Sequence, residues 1–415
     1  GQVPTGPLAR YAIAGEMSLR GALVPTAGIL AISAAAADAG LGVIVPEANA
    51  AEAALVRGVE VVPAPSVSRV AEFLLGTWRP SSAHPTSPTP RSFGVDLAEV
   101  RGQTQARRAL EVAAAGGHNV LMLGPPGAGK TMLARRLPTI LPSMTSREAL
   151  DVTLLHSVAG LLPPGGGLVT ERPFRSPHHS VSPAGLLGGG SGVVRPGEVA
   201  LAHHGVLFLD EVNEFRRDAL EGLRQPLEDG RMVVVRAGGA TEFPARFTLI
   251  AAANPCPCGF DGDARRPCAC PPHRLKAYGQ RLSGPLLDRI DIMMRIPRLS
   301  RAELMSSEHG EPSAAIRARV EAARARQRKR LGGAASCNAE VTGADARRLA
   351  RLTREAERSL GGAVERHALT GRGFDRVLRV ARTIADLAGS ETTEKLHVLE
   401  ALAFRSEPVL ESGVA

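Results

Sequence analysis

Two short stretches of this chain carry residues whose types and spacing suit phosphate chemistry. The first, Gly124-Pro-Pro-Gly-Ala-Gly-Lys-Thr131, fits the pattern G-x-x-x-x-G-K-[ST]. Gly124, Gly127 and Gly129, with Pro125, Pro126 and Ala128 between them, let backbone N–H groups turn inward around phosphate oxygens at a helix N-terminus. Lys130 is then placed to reach the β- and γ-phosphates, and the Thr131 hydroxyl to ligate Mg2+. The second, Gly205-Val-Leu-Phe-Leu-Asp-Glu211, is an apolar run ending in two carboxylates. Asp210 would hold the metal ion, and Glu211 would orient and polarise an attacking water, because phosphoryl transfer depends mainly on positioning and charge neutralisation. Two acids after an apolar run are, alone, most often a solvated strand end. Together with the glycine loop they predict a site that binds and hydrolyses Mg-ATP.

Such a site needs a buried strand before its loop and a helix after it. The residue pattern supplies both: a helix over 103–115, a strand over 119–123, a helix from Lys130, and strands over 205–209 and 247–252. Strands alternating with helices predict an α/β fold with a parallel-sheet core. Two strand-like runs, 230–236 and 240–243, flank a Gly238-Gly239 turn and predict a β-hairpin. From 313 onward the pattern is helical, with breaks expected near Gly332-Gly333 and Gly361-Gly362. The segment 79–91 is rich in Pro and Ser and reads as an extended linker. Ahead of it lie short strands at 10–16 and 42–46 and Ala-rich helices at 31–39 and 48–57. The expected organisation is a small α/β region (1–76), a linker (77–95), a nucleotide-binding core (96–300) and a C-terminal helical lid (313–415).

The chain has 415 residues and a formal net charge of +9, with Arg well in excess of Lys in its last third. That balance favours a polyanionic partner such as nucleic acid, against the plainer reading of a solvated basic surface. No apolar run approaches the ~20 residues of a membrane span. The start carries no signal-peptide pattern, and four of five cysteines crowd between 256 and 270 instead of forming a dispersed disulfide set. A reducing cytoplasm is the expected compartment.

Cys256-Pro-Cys258 and Cys268-Ala-Cys270 make two thiol pairs around a Gly-, Asp- and Arg-rich loop, which predicts a structural Zn2+ site. The usual spacing is C-x-x-C, so His273 stands as an alternative ligand and four free thiols as the competing reading. Cys337 is alone and reads as a buried apolar residue. His178 and His179 are expected to point in opposite directions along an extended chain, in a structural or DNA-facing loop.

Several further motifs carry a resemblance. The two phosphate motifs resemble those of AAA+ proteins, which implies roles for three more residues. Asn254, after the strand that ends near Ala253, matches the first sensor that contacts the γ-phosphate and the water. Arg289, in Ser283-Gly-Pro-Leu-Leu-Asp-Arg-Ile-Asp291, matches the arginine finger that enters the neighbouring subunit's site. Arg372, in Thr370-Gly-Arg-Gly-Phe-Asp-Arg-Val-Leu-Arg379, matches the lid's second sensor, with Arg376 as its competitor. A finger supplied in trans implies a homo-oligomeric ring, a hexamer.

Arg172-Pro-Phe-Arg-Ser-Pro-His-His179, Gly197-Glu-Val-Ala-Leu-Ala-His-His204, Ala252-Ala-Asn-Pro-Cys-Pro-Cys-Gly259 and Arg379-Val-Ala-Arg-Thr-Ile-Ala-Asp-Leu387 narrow this further. They are similar to the ComM/YifB family in the magnesium-chelatase-like branch. The resemblance implies a hexameric motor that translocates on single-stranded or branched DNA and promotes branch migration in homologous recombination or natural transformation. It implies that the 230–243 hairpin projects into the ring channel, with Arg236 as a phosphate contact. The Arg-rich stretch 317–330 fits such a role and fits a subunit contact or solvated face equally.

Residues 14–54 resemble the second half of a Lon-protease-type domain. There the family's catalytic Lys corresponds to Leu30, which cannot act as a base, so the resemblance implies a shared fold without proteolysis. A magnesium-chelatase-like ATPase chaperone that remodels a partner protein is the alternative function.

Overall fold

The computed structural model describes residues 3, 5–83, 94–162, 167–190, 194–236, 239–263, 265–305, 309–333, 335–366 and 369–405. The chain divides into two compact units. Most of the expected linker lies outside the described residues.

The first unit comprises 1–91, 144–171 and 189–196. Its centre is a parallel sheet of Tyr11–Ile13, Gly42–Pro46 and Val61–Ala64, in that order. Gly42–Pro46 is buried along its whole length, as a central parallel strand covered on both faces must be. Side-chain alternation splits its core: Val43 and Val45 pack with Ile29 and Ala36, while Ile44 packs with Val62, Val70 and Leu74. The expected strand over 10–16 stops at Ile13, and Glu16–Met17 instead pairs with Leu23–Val24. The expected helix over 48–57 shortens to a 3-10 turn, Glu47–Asn49, and one turn, Ala50–Ala53. There Asn49 and Glu52 turn inward: Asn49 bonds Thr26, and buried Glu52 accepts from the Leu30 N–H at 3.1 Å, at the start of helix Ile29–Asp38. Leu30 is fully buried. Helix Ser146–Val158 opens with a capping box between Thr145 and Glu148. It packs on helix Ile29–Asp38, where the Gly28 N–H donates to Ser157 O at 3.0 Å.

The second unit comprises 92–143, 172–188 and 197–415. Five parallel strands run in the order Ile292–Arg295, Val120–Leu123, Thr248–Ala253, Val206–Leu209 and Phe174–Arg175. The three middle strands are almost wholly apolar, which suits a sheet covered on both sides. Helices Thr104–Gly116 and Lys130–Arg136 contribute to the same core as the C-terminal helices, through Leu110, Leu133, Val320, Val377 and Ile384. The chain is therefore mixed α/β with a five-stranded parallel sheet and a C-terminal helical region.

Helix Ser313–Leu331 ends where Gly332 takes φ +59, as expected. The break expected near Gly361-Gly362 does not occur: helix Arg354–Arg366 runs through both glycines. Leu360 and Ala363 on either side are buried, and that packing outweighs the low helix propensity of two glycines, ~1 kcal/mol each.

Several arginines of helix Ser313–Leu331 have partners within the chain. Arg319 pairs with Glu111 and Glu311, Arg330 with Asp386 and Asn338, and Arg317 with Glu321 and Ser143. Arg324 and Arg326 donate to the carbonyls of Ala114 and Asp386. Arg317, Arg319 and Arg324 thus tie this helix to residues 111–143 of the core, and Arg326 and Arg330 tie it to helix Gly371–Leu387.

Candidate nucleotide site and its surroundings

Both phosphate motifs emerge from the same edge of the sheet. The loop 124–129 follows strand Val120–Leu123, and Gly129, at φ +91, caps helix Lys130–Arg136. Only a residue without Cβ takes that turn without strain. Strand Val206–Leu209 ends at Asp210, and Asn254 follows strand Thr248–Ala253 between them. Parallel strands in adjacent register deliver three loops to one place.

Lys130 is buried, and its Nζ donates to the carbonyls of Gly124 and Pro125 and to Asn254 Oδ1 at 3.1 Å. Burial pushes its ammonium pKa down, while Asp210 and Glu211 pull it back up. The Thr131 hydroxyl donates to Asp210 Oδ2 at 2.6 Å. Asp210 also accepts from the Glu211 N–H at 3.0 Å. Glu211 has φ +50, uncommon for a residue with a Cβ, and its side chain is exposed.

This set fits Mg-ATP. Thr131 and Asp210 offer adjacent hard oxygen donors, which Mg2+ takes together with phosphate oxygens. Lys130 is held by carbonyl and amide oxygens that a phosphate can replace. Lys130, Thr131, Asp210, Glu211 and Asn254 are thus brought together within one chain.

Arg289 and Arg372 are not part of that group. The Asp291 and Ile292 N–H groups bond Asn119 O, so the Arg289 segment lies at the N-terminal ends of the strands. Four residues of strand, at ~3.3 Å each, put that edge about 13 Å from the start of the phosphate loop. Arg289 donates to Pro285 O at 2.7 Å and forms an ion pair with Glu228. Arg372, 63% exposed, lies 4.0 Å from Asp288, and buried Arg376 lies 3.8 Å from the same carboxylate. Burial, helped by Arg405, pushes the Arg376 guanidinium down to about 10.

Sequence reasoning missed His179. Its ring sits 4.0 Å from that of His178, so the chain turns there and the two side chains do not diverge. His179 Nδ1 lies 3.6 Å from Glu211 Oε2. The signal was topological: strand Phe174–Arg175, a few residues upstream of the pair, lies next to the strand bearing Asp210.

Arg236 is exposed and closes the ladder of hairpin strands Arg231–Arg236 and Gly239–Pro244, beside a Val235 that is 73% exposed. Residue 238 of the expected turn lies outside the described residues.

Cys256, Cys258, Cys268 and Cys270 bring their four Sγ atoms within 4.8 Å of one another. The closest separations are 3.3, 3.6 and 3.7 Å. Zn–S bonds of ~2.3 Å in a tetrahedron require S···S edges of about 3.8 Å, and a disulfide ~2.05 Å, so the spacing fits a tetrathiolate metal. Burial opposes charge on Cys258, but the N–H groups of Phe260 and Ala269 and the neighbouring thiols outweigh it and bring the thiol down to about 6. His273 stands exposed on helix Pro272–Gly279, outside the thiol group. Cys337 is buried, and burial pushes its thiol up.

Comparison with known proteins identifies the family. The family model "Magnesium chelatase, subunit ChlI" matches residues 96–304, and the model of its C-terminal region matches 310–405. The chain is 39% identical to YifB of Escherichia coli over 408 residues, 98% of this chain and 79% of that protein. It is 38% identical to competence protein ComM of Haemophilus influenzae over 414 residues, again 98% and 79%. The magnesium-chelatase 38 kDa subunit of Rhodobacter capsulatus is 26% identical over 224 residues, half of this chain and 60% of that one. No helix among the described residues is long and apolar enough to cross a membrane. With matches this long, over a sheet that carries both phosphate motifs on one edge, the chain belongs to the ComM and YifB family of magnesium-chelatase-like AAA+ ATPases.

Proposed function

We propose that the chain is one subunit of a hexameric, ATP-driven DNA motor that promotes branch migration. The observation that carries this reading is the split of the site: the phosphate-loop residues occupy one end of the sheet, and Arg289 and Arg372 the other. In a ring, the second edge of one subunit serves the first edge of the next.

Within one subunit, Lys130 leaves its carbonyl partners to bind the β- and γ-phosphates, and Asn254 turns its amide to the γ-phosphate and water. Thr131 and Asp210 hold the Mg2+ that arrives with the nucleotide and neutralises phosphate charge. Glu211 orients the attacking water, and His179 is placed to fix the direction of that carboxylate. Arg289 and Arg372 from the neighbour stabilise charge that develops on the transferred phosphoryl group. Arg289 would have to leave Glu228 to do so. The four thiols hold a structural Zn2+, and residues 1–76 form a non-catalytic Lon-like domain in which buried Leu30 replaces the catalytic Lys.

The DNA load is supported by the net charge of +9, the exposed hairpin with Arg236, and near full-length similarity to a protein named for competence. Branch migration of a synthetic four-way junction, comparing the wild type with Glu211→Gln, tests it. ATP-dependent product from the wild type alone is expected. No product from either, with ATP hydrolysis intact in the wild type, would instead favour a chaperone acting on a partner protein.

A further inference from the structure

The four-thiol cluster and the phosphate loop are physically joined. Cys256 follows Asn254 by two residues, and Asn254 holds Lys130 at 3.1 Å. Buried Gly259, at φ +83, lies so close to the Pro126 ring that a Cβ there would come within 2.5 Å of Pro126 Cδ. The turn 256–261 closes on Cys256, through its carbonyl and its sulfur. The Gly259 N–H donates to Cys256 O at 2.9 Å, and the Asp261 N–H donates to Cys256 Sγ at 3.3 Å. On the far side of the loop the Cys270 N–H donates to Cys268 Sγ at 3.4 Å. Arg298 then ties the loop down, 5.2 Å over the Phe260 ring and 2.9 Å from Asp263.

We propose that this loop is a metal-set clamp on the nucleotide site. A zinc-class ion bound by Cys256, Cys258, Cys268 and Cys270 fixes Gly259 against Pro126, so that metal occupancy sets nucleotide affinity. The inference rests on reading the thiols as a metal site and 124–131 as the nucleotide loop. Four thiolates drawn around one ion fix both ends of the loop 256–270. Without it, only weak thiol contacts and N–H···S bonds hold the four sulfurs within 4.8 Å, and the turn that presses on Pro126 loses its strongest tie. The phosphate loop binds by presenting preorganised N–H groups, so freedom at Pro126 appears as weaker binding.

The test uses the full chain with excess Mg2+. Metal content is measured by plasma emission, and affinity by titration with a fluorescent ATP analogue. Measurements are made before and after a zinc-selective chelator, and again after Zn2+ is returned. One ion per chain, about tenfold weaker binding on removal and recovery on return are expected. Gly259→Ala should retain the metal yet weaken nucleotide binding to a similar degree, which keeps the proposal testable if metal removal unfolds the chain. In Pro126→Ala, where the ring is gone, affinity should no longer respond to the metal. Unchanged affinity in Gly259→Ala, or in folded metal-free protein, overturns the clamp and leaves the metal site standing. Absence of metal from the wild type overturns the metal reading, and absence of nucleotide binding from metal-loaded wild type overturns the nucleotide reading.

Discussion

Asp291→Asn probes what holds the Arg289 segment in place. Asp291 is 4% exposed; it accepts from Arg379 Nη2 at 3.2 Å and from the Asn119 N–H at 3.3 Å, and lies 3.4 Å from His118 Nδ1. Burial would raise its carboxyl pKa, but Arg379, His118 and Arg376 overrule burial and hold it far below the carboxylate range. An amide keeps the shape and removes the charge, leaving Arg376 and Arg379 without their buried counter-ion. Breaking a buried pair from one side costs ~3–5 kcal/mol. Arg379 is 18% exposed, so water recovers part of this, and about 3 kcal/mol is expected. In a unit of this size each kcal/mol moves the midpoint by ~2–4 °C, so thermal melting should fall by about 6–12 °C. Asp288→Asn, at a half-exposed carboxylate, should move it by less than about 2 °C.

The pH dependence has a fixed sign. A carboxyl held below its unfolded value of ~3.9 contributes stability fully above that pH, and the contribution drains away as pH falls towards the folded value. The part of the gap between wild type and Asp291→Asn that Arg379 and Arg376 supply should therefore persist from about pH 8 to 5 and close only below about pH 4. A shift under about 2 °C, or an equal shift from Asp288→Asn, would refute this account of the segment.

Three further outcomes follow from the site. Glu211→Gln should lower ATP hydrolysis by ~10²–10⁴ while nucleotide binding persists, as read by single-turnover hydrolysis beside a binding titration. Lys130→Ala and Arg289→Ala should each be inactive alone, yet mixing them should restore measurable hydrolysis, because some interfaces then carry both wild-type halves; no recovery would place Arg289 outside a shared site. Arg236→Ala should weaken DNA binding uniformly across sequences and reduce the salt slope by about 1, read from affinities at several salt concentrations.

What could be read in advance was local. The run 124–131 and the pair Asp210-Glu211 carry their chemistry in residue type and spacing, and the apolar strands beside them can only be buried. What was misread or left open depended on packing against the rest of the chain. Arg319 and Arg330 look like a basic face until Glu111 and Asp386 are found against them. Gly361 and Gly362 look like a break until Leu360 and Ala363 are seen in the core. His179 acquires meaning only when the sheet order sets the strand just upstream of it, Phe174–Arg175, beside the one that leads into Asp210. The press of Gly259 on Pro126 likewise joins segments that no periodicity links.

The central claim, an ATPase whose load is DNA, is tested most directly by steady-state ATP hydrolysis with and without forked DNA at low and moderate salt. Several-fold stimulation by DNA, shrinking as salt rises and absent in Glu211→Gln, is the predicted result. Hydrolysis that is robust but indifferent to DNA at both salts would contradict it.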